Sequence, residues 1–433
     1  MRNHQIKSKP DGLRKLITII VVMLNTGFAL TLGWETQMIF INVGYILLDS
    51  LFHGGTIRVL KNIRIWFACV LFMAMTFVVQ LDFGVAFEYG RIMIIMFCAY
   101  YITTVFSLEE LVVGYCKCMR FIAVVSCTFW LAVRMFPTLP YPTFTNALEV
   151  EYYTCLLGNI RTSLAEVGVV RNAGLFWEGG MYAALTTLWL ICEIEYLKHE
   201  RNFWRIIVLG MITIFTTNST SGYLYMVLLM FLLFSHNSTG RRTIAQSLLL
   251  FTGFCAAILV VSRFESVIDV LVRYNSRAFT KIVTQNESFT DRVYGPLADI
   301  WTGITNPLGV GLQRLHDHVR QVARDLFDVS LGARTSTLTY FVAAHGPVCG
   351  IFVNWQWCRV FLNTIDSKLE KLIVITMFLI LATSTPLHYT MVFWIAVFLG
   401  DVSKRKKIAG LNEEITSTAD NQSSYRPARV AVR

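Results

Sequence analysis

Charged side chains concentrate in one polar stretch of the sequence, from Arg263 to Arg334, between long apolar segments. A loop of this length without an apolar span of its own is usually functional or disordered. Its positive and negative residues alternate, which suits a binding site for an anionic ligand better than a polybasic tail does. We therefore predict a folded cap over a membrane domain. Its predicted packing residues are Phe264, Val267, Val270, Leu271, Phe279, Leu297, Ile300 and Trp301.

A second stretch whose residues could take part in chemistry runs from Arg171 to Tyr182 at the mouth of an apolar segment. Arg171 and Glu178 are seven residues apart, which on a helix is about two turns and one face. Three glycines lie among these residues and let backbone or ligand come close. A charge that enters the membrane is expensive unless it is paired, so both charged residues are functional candidates. The alternative is a mutual ion pair with a structural role at the interface.

Hydroxyl and imidazole groups supply further candidates. The turn Thr216 to Tyr223 contains Ser219 and Ser221, and hydroxyls at a helix N-terminus bind anions or sugar hydroxyls. They also cap helices, so both interpretations stay open. His316 and His318 flank an aspartate in the polar stretch and could act as a general base, as a metal pair without an evident third ligand, or as solvated surface residues.

The composition indicates a polytopic membrane protein. Of 433 residues, 55% are hydrophobic and 15% are charged, against about 25% charged in soluble proteins. The mean hydropathy is +0.54. The net charge of +10 comes mainly from short connections between apolar segments, as control of membrane topology requires, so a nucleic-acid partner is not expected. The ten cysteines lack zinc or thioredoxin-type spacing and are interpreted as buried apolar thiols.

About twelve apolar segments are long enough to cross a bilayer. Their approximate centres are Val22, Val43, Leu71, Phe97, Val125, Ala184, Leu209, Leu228, Phe254, Val342, Ile375 and Phe393. Successive connections alternate in Lys and Arg content, which predicts that both termini are cytoplasmic and that the polar stretch lies outside. The basic N-terminus has no small-residue cleavage site and is interpreted as leading into a retained first span.

This pattern divides the chain into four parts. Residues 1–262 hold nine spans and an outer loop at 137–171, and residues 263–335 form the large outer loop. Residues 336–403 hold three further spans, and residues 404–433 form a cytoplasmic tail predicted to be disordered. The predicted fold class is an all-α polytopic membrane protein with about 12 transmembrane helices and a partly helical cap loop.

Several motifs occur in a recognisable order. Arg171-x-x-Gly-Leu-Phe-x-Glu178 is followed by Thr-x-Ser-Thr-Ser-Gly222, by Arg292 and Trp301, by Asn-Pro-Leu-Gly-Val-Gly311, and by a late span that contains Gly346. This set resembles the bacterial O-antigen polymerase and O-antigen ligase superfamily, over roughly residues 171 to 350. The resemblance implies an inverting, metal-independent glycosyl transfer without a cofactor, in which undecaprenyl diphosphate is the leaving group, on the outer face of a bacterial inner membrane.

The resemblance gives the candidate residues their roles. A diphosphate leaving group needs fixed positive donors, and the guanidinium group matches phosphate oxygens in pairs. The base that takes the proton of the acceptor hydroxyl is expected to be Glu178, His316 or His318. The expected diphosphate ligands are Arg171 and Arg292, then Arg277, Arg314 and Arg161. The expected substrate-binding residues are Ser219, Ser221, Tyr182 and Trp301.

The sequence favours a polymerase of lipid-linked oligosaccharide repeat units, with the lipid bilayer and possible chain-length regulators as partners. Ligase-like members have a His-Asn pair before the late glycine, where this chain has Thr335 and Ser336. A ligase that transfers finished glycan remains an alternative. A flippase is a second alternative, but a transporter should place its charges near the bilayer midplane, and here they cluster in outer loops.

Overall fold

The computed structural model describes residues 12–53, 63–147, 149–155, 157–162, 170–197, 202–236, 287–332, 336–365 and 367–399. The helices are α1 (Gly12–Leu24), α2 (Glu35–His53), α3 (Arg64–Gln80), α4 (Ala86–Val105), α5 (Leu108–Met135), α6 (Gly179–Tyr196), α7 (Phe203–Thr216), α8 (Thr220–His236), α9 (Glu287–Thr305), α10 (Gly311–Phe327), α11 (Tyr340–Thr364), α12 (Lys368–Ser384) and α13 (391–399). Three short strands complete the fold: β1 (Thr143–Thr145), β2 (Glu151–Thr154) and β3 (Asn159–Arg161).

The described residues are mainly helical, which confirms the predicted fold class at this level. Each predicted span centre lies in a helix except Phe254, which is outside the described residues. Only two helical segments of the described chain, Phe83–Val105 and Leu108–Met135, are both long and apolar enough to cross a membrane. Helix α7 has 14 residues, or about 21 Å, against a hydrocarbon core of about 30 Å. The count of about twelve spans therefore stays a prediction.

Contacts between distant segments hold both ends of the helix bundle. At one end, here called the loop end, Arg91 on α4 lies 3.6 Å from Glu35 at the start of α2, and backbone hydrogen bonds join distant connections. Met391 donates to the carbonyl of Asn25 at 2.9 Å, and Asn172 donates to that of Thr216 at 3.0 Å. At the opposite end the helices are joined by ion pairs. These are Arg14 with Asp49, Lys15 with Glu110, and Arg120 with Glu193.

A three-stranded antiparallel sheet lies in the predicted outer loop at 137–171, and the all-α prediction did not include it. Strand β2 is central and pairs with both neighbours. The edge strand β3 extends this pairing to the next segment, because the amide of Asn159 donates to the carbonyl of Gly174 at 2.8 Å and the amide of Ala173 donates to that of Asn159 at 2.9 Å. Strands of three or four residues carry too little periodicity to be predicted from sequence.

The predicted cap is represented by α9 and α10, while residues 263–286 lie outside the described part of the chain. The two helices form an antiparallel hairpin in which the rings of Tyr294 and Phe327 meet at 5.4 Å. The expectation that Leu297, Ile300 and Trp301 pack inside the cap is wrong, because each leaves more than two fifths of its surface exposed. The polar side of α9 faces the protein instead.

Candidate functional site

The segment before α6 is held by Asn172, which the sequence analysis did not single out. Its side chain is buried and donates to the hydroxyl of Thr216 at 3.0 Å and to that of Ser126 at 3.3 Å. Its side-chain oxygen Oδ1 accepts from the backbone amide of Gly174 at 2.9 Å. Asn172 therefore joins α5, α7 and the segment 171–178, and it fixes where the two charged residues of that segment lie.

Gly179 allows the closest backbone approach at this site. A Cβ atom at this position would lie 2.9 Å from the carbonyl oxygen of Thr217 and 3.3 Å from that of Asn172. The first residue of α6 thus packs directly against the turn between α7 and α8. At Gly180 the same added atom would meet nothing closer than 3.7 Å. The first glycine is required for packing, whereas a methyl group at the second would make only ordinary van der Waals contacts.

Arg171 lies at the edge of this packed turn. Its side chain is half-buried, and Nε donates to the carbonyl oxygen of Thr217 at 3.2 Å. The guanidinium group is also close enough to the hydroxyl of Tyr223 to act on it electrostatically. The α7–α8 turn therefore helps to fix the position of this positive group.

Glu178 precedes α6 as its N-cap residue but does not cap the helix with its side chain. It is half-buried, and among the described residues its carboxylate forms no ion pair and accepts no hydrogen bond. The structural alternative raised by the sequence, a mutual ion pair with Arg171, is therefore absent from the described contacts. A half-buried carboxylate without a hydrogen bond or ion pair among the described residues is available to accept a proton from a ligand.

The hydroxylic turn lies beside this carboxylate. A Cβ atom built at Gly180 would be 3.7 Å from the carboxyl carbon of Glu178 and 3.8 Å from Oγ of Ser219. The hydroxyls of Ser219 and Ser221 are 3.0 Å apart and both residues are buried. Glu178 and Ser219 thus flank one small space beside the first turn of α6, and Ser221 adjoins it through its contact with Ser219.

The sheet brings a second arginine to the same place. The hydroxyl of Tyr152 donates to the carbonyl oxygen of Trp177 at 2.8 Å. Burial raises the pKa of Tyr152 to about 12, while the positive charge of Arg161 lowers it and the negative charge of Glu178 raises it. Arg161 and Glu178 therefore both lie within electrostatic reach of one hydroxyl. Arg161 is exposed, so its guanidinium group is open to a ligand.

Two predicted substrate-binding residues lie elsewhere. Tyr182 is fully buried in the core, where its ring packs on Phe176 and its hydroxyl is 2.8 Å from that of Ser126. Trp301 is about half exposed on α9 and faces away from the protein. In this structure neither side chain lines the space beside Glu178, whereas Ser219 does and Ser221 adjoins it.

The remaining candidates belong to the hairpin or lie outside the described residues. Arg314 and His316 are exposed on α10, and His318 is half-buried with Nε2 3.4 Å from the side-chain nitrogen of Asn306. Helix α10 packs on α3, α9 and α11, whereas Glu178 lies among the sheet, α6, α7 and α8. Arg277 and Thr335 are not among the described residues, and the side chain of Arg292 on α9 is likewise outside them.

Two buried histidines were missed by the sequence analysis. His388 stacks on Tyr340 with ring centroids 3.8 Å apart, and its Nδ1 lies 3.3 Å from the hydroxyl of Thr337. His345 is buried where α11 breaks at Gly346, and neither ring nitrogen has a hydrogen-bond partner in the described structure. His345 lies in apolar sequence and His388 in a short turn, and neither forms part of a motif that the sequence analysis used.

The described residues contain no group of three or more His, Cys, Asp or Glu side chains that could hold a metal ion. What they bring together at the loop end is two guanidinium groups, one carboxylate and two hydroxyls. Comparison of the chain with protein families, with characterised proteins and with solved structures finds no match. The superfamily resemblance drawn from the motifs therefore stays a prediction.

Proposed function

We propose that this chain is a polytopic membrane protein of about twelve spans that polymerises undecaprenyl-diphosphate-linked oligosaccharide repeat units. It would work on the outer face of a bacterial inner membrane, with the loop end on that face. It would need no cofactor and no metal ion. A chain-length regulator is a candidate partner for such an enzyme.

One observation carries the proposal: Arg161, Arg171, Glu178 and the serine pair Ser219 and Ser221 converge at one end of the bundle. They come from the sheet, from the segment before α6 and from the α7–α8 turn. Positive donors suit a diphosphate, the carboxylate suits a hydroxyl proton, and the serines suit sugar hydroxyls. The positive end of the α6 dipole adds a further preference for an anion.

The reaction assigns each group one task. The oxygen of the acceptor hydroxyl attacks the anomeric carbon of the growing chain, and the bond from that carbon to the diphosphate oxygen breaks. The diphosphate leaves with the bonding electron pair, and Arg171 and Arg161 stabilise the negative charge that develops on it. Glu178 accepts the proton of the acceptor hydroxyl. The incoming repeat keeps its own lipid diphosphate and carries the extended chain.

This assignment selects among the base candidates of the sequence analysis. Glu178 lies with two arginines and two serines, whereas His316 and His318 lie on the hairpin helix α10. A base must be within hydrogen-bond reach of the proton that it takes, directly or through one water. We therefore assign the base to Glu178, with Arg314 and His316 as residues that could contact a more distant part of the glycan.

The test is reconstitution of purified protein in liposomes with lipid-linked repeat units as the sole substrate and with EDTA present. We expect oligomers that remain attached to undecaprenyl diphosphate, together with free undecaprenyl diphosphate. The matched control is the Glu178→Gln protein in the same liposomes. If the protein stays inactive until an acceptor without a lipid diphosphate is added, it is a ligase. Transfer of the lipid across the bilayer without diphosphate release would identify a flippase.

A further inference from the structure

The tip of the α9–α10 hairpin reaches below the start of α11. A Cβ atom at Gly303 would lie 2.6 Å from the carbonyl oxygen of Val342, and the carbonyl of Pro307 packs against Gly346. Gly303 and Pro307 are four residues apart, and so are their partners Val342 and Gly346. The end of α9 therefore runs parallel to the first turns of α11. Gly346 lies six residues beyond the first residue of α11, which is a descent of about 9 Å.

The loop at this tip has its backbone groups satisfied by the protein. The hydroxyl of Thr76 donates to the carbonyl of Leu308 at 3.2 Å, and Nε2 of Gln80 donates to that of Gly309 at 2.7 Å. The amide of Val310 donates to the carbonyl of Ala343 at 3.0 Å. Non-helical backbone at membrane depth is tolerated only when protein surrounds it in this way or when it lines a water-filled cavity.

Helix α11 is itself discontinuous beside the tip. Gly346 has φ +85° and ψ 162° inside the helix, which is a conformation that only glycine adopts easily. The tip loop fills this break. A broken helix and an inserted loop that satisfy each other form a local structure typical of membrane-embedded segments.

From Val293 onward, the large exposed side chains of α9 are apolar. Their exposed fractions are 40% at Val293, 47% at Leu297, 42% at Ile300, 47% at Trp301 and 61% at Ile304, and Leu308 in the tip loop is 49% exposed. The inward face carries the buried polar residues Asp291, Asp299 and Thr302. This arrangement, with polar residues inside and apolar residues outside, is the reverse of a water-exposed helix.

The two neighbouring helices, α11 and α10, differ in the side chains that they expose beside this stripe. Helix α11 continues it with Val348, Ile351 and Trp355, which are 64%, 69% and 56% exposed. Helix α10 instead buries Leu315, Val319 and Ala323 and exposes charged and polar side chains. Those exposed side chains are Gln313, Arg314, His316, Asp317, Gln321 and Arg324. One face of the hairpin therefore suits hydrocarbon and the other suits water.

We infer that α9 and α10 form a re-entrant hairpin that dips into the outer leaflet, and that lipid acyl chains cover the stripe from Val293 to Leu308. The inference rests on the membrane location given under Proposed function, but not on the reaction. Arg314, one turn above the tip, is exposed and has a side chain long enough to reach the headgroup level. The hairpin thereby holds the exposed face of α10 at the membrane surface.

The test uses single-cysteine variants of an otherwise cysteine-free protein in liposomes, each labelled with a bimane fluorophore. Lipids with brominated acyl chains quench a label that they touch. We expect quenching that increases from position 293 through 297 to 304 and that reaches, at Ile304→Cys, at least half the value of the lipid-facing reference Ile351→Cys. Asp317→Cys and Gln321→Cys are the matched controls on α10, with less than one fifth of that value and rapid reaction with an impermeant maleimide.

Four outcomes overturn the inference. Fast maleimide reaction at position 304 without quenching would place the stripe in water, and neither reaction nor quenching would mean that protein covers it. Equal quenching at 293 and 304 would mean a helix that lies flat on the bilayer. Absence of quenching at the Ile351 reference would refute the membrane location and the proposed function together. Quenching as expected in a protein without polymerase activity would leave the hairpin standing and refute only the reaction.

Discussion

Helix α6 has a glutamate at each end, and the two should respond oppositely to the same substitution. Glu178 precedes the helix and has no ion pair or hydrogen bond among the described residues. Glu193 is buried near the other end, where its oxygens accept from Nε and Nη2 of Arg120 at 2.8 and 2.7 Å and from the indole of Trp189. Replacement of each by glutamine removes one charge and keeps the side-chain size.

The magnitudes follow from these surroundings. Glu178→Gln breaks no ion pair or hydrogen bond among the described residues, and the loss of a charge at the helix N-terminus costs about 0.3–1 kcal/mol of folding free energy. Loss of a general base slows the reaction by about 10²–10⁴-fold, or about 2.7–5.4 kcal/mol in the activation barrier. Glu193→Gln removes the carboxylate that pairs with Arg120. We expect the free energy of unfolding to fall by about 3 kcal/mol. This value is at the low end of the range for breaking a buried ion pair, because 22% of the Arg120 side chain is exposed.

The assay compares three proteins: wild type, Glu178→Gln and Glu193→Gln. Thermal unfolding in detergent gives the relative stability, and single-turnover release of lipid diphosphate in liposomes gives the chemical step. Glu178→Gln should unfold close to wild type and lose most of its rate, while Glu193→Gln should unfold earlier and, once folded, react near the wild-type rate. If Glu178→Gln kept its rate, or lost rate and stability in proportion, the assignment of this carboxylate as the base would be wrong.

Three further predictions concern Arg171, the two glycines at the start of α6, and the membrane topology. Arg171→Lys should lower the transfer rate at least tenfold with unchanged membrane abundance, since lysine offers a point charge in place of a two-pronged donor; a near-normal rate would exclude the arginine from the site. Gly179→Ala should lower the free energy of unfolding by about 1–3 kcal/mol through overpacking, whereas Gly180→Ala should not lower it; equal thermal shifts would contradict the packing at the first glycine. A cysteine at Thr143 should react with an impermeant maleimide in intact spheroplasts and one at Lys117 should not, and the opposite result would reverse the topology.

Sequence alone determined the helical class and the helix-forming segments, because long apolar runs have few other ways to satisfy their backbone. It also singled out the stretch that contains Arg171 and Glu178, because charges at the mouth of an apolar segment are rare. The hydroxylic turn was identified from the residue types in one short window of the sequence.

Tertiary structure decided what local pattern does not encode. Arg161 and Glu178 come within electrostatic reach of the same Tyr152 hydroxyl because strand β3 docks on the segment before α6 through two backbone hydrogen bonds, which involve no side-chain chemistry. Tyr182 and Trp301 have the residue type of sugar-binding side chains, yet packing puts the first in the core and the second on the outward face of α9. The direction of a side chain depends on which neighbour its helix packs against, and those neighbours come from segments far away in the chain.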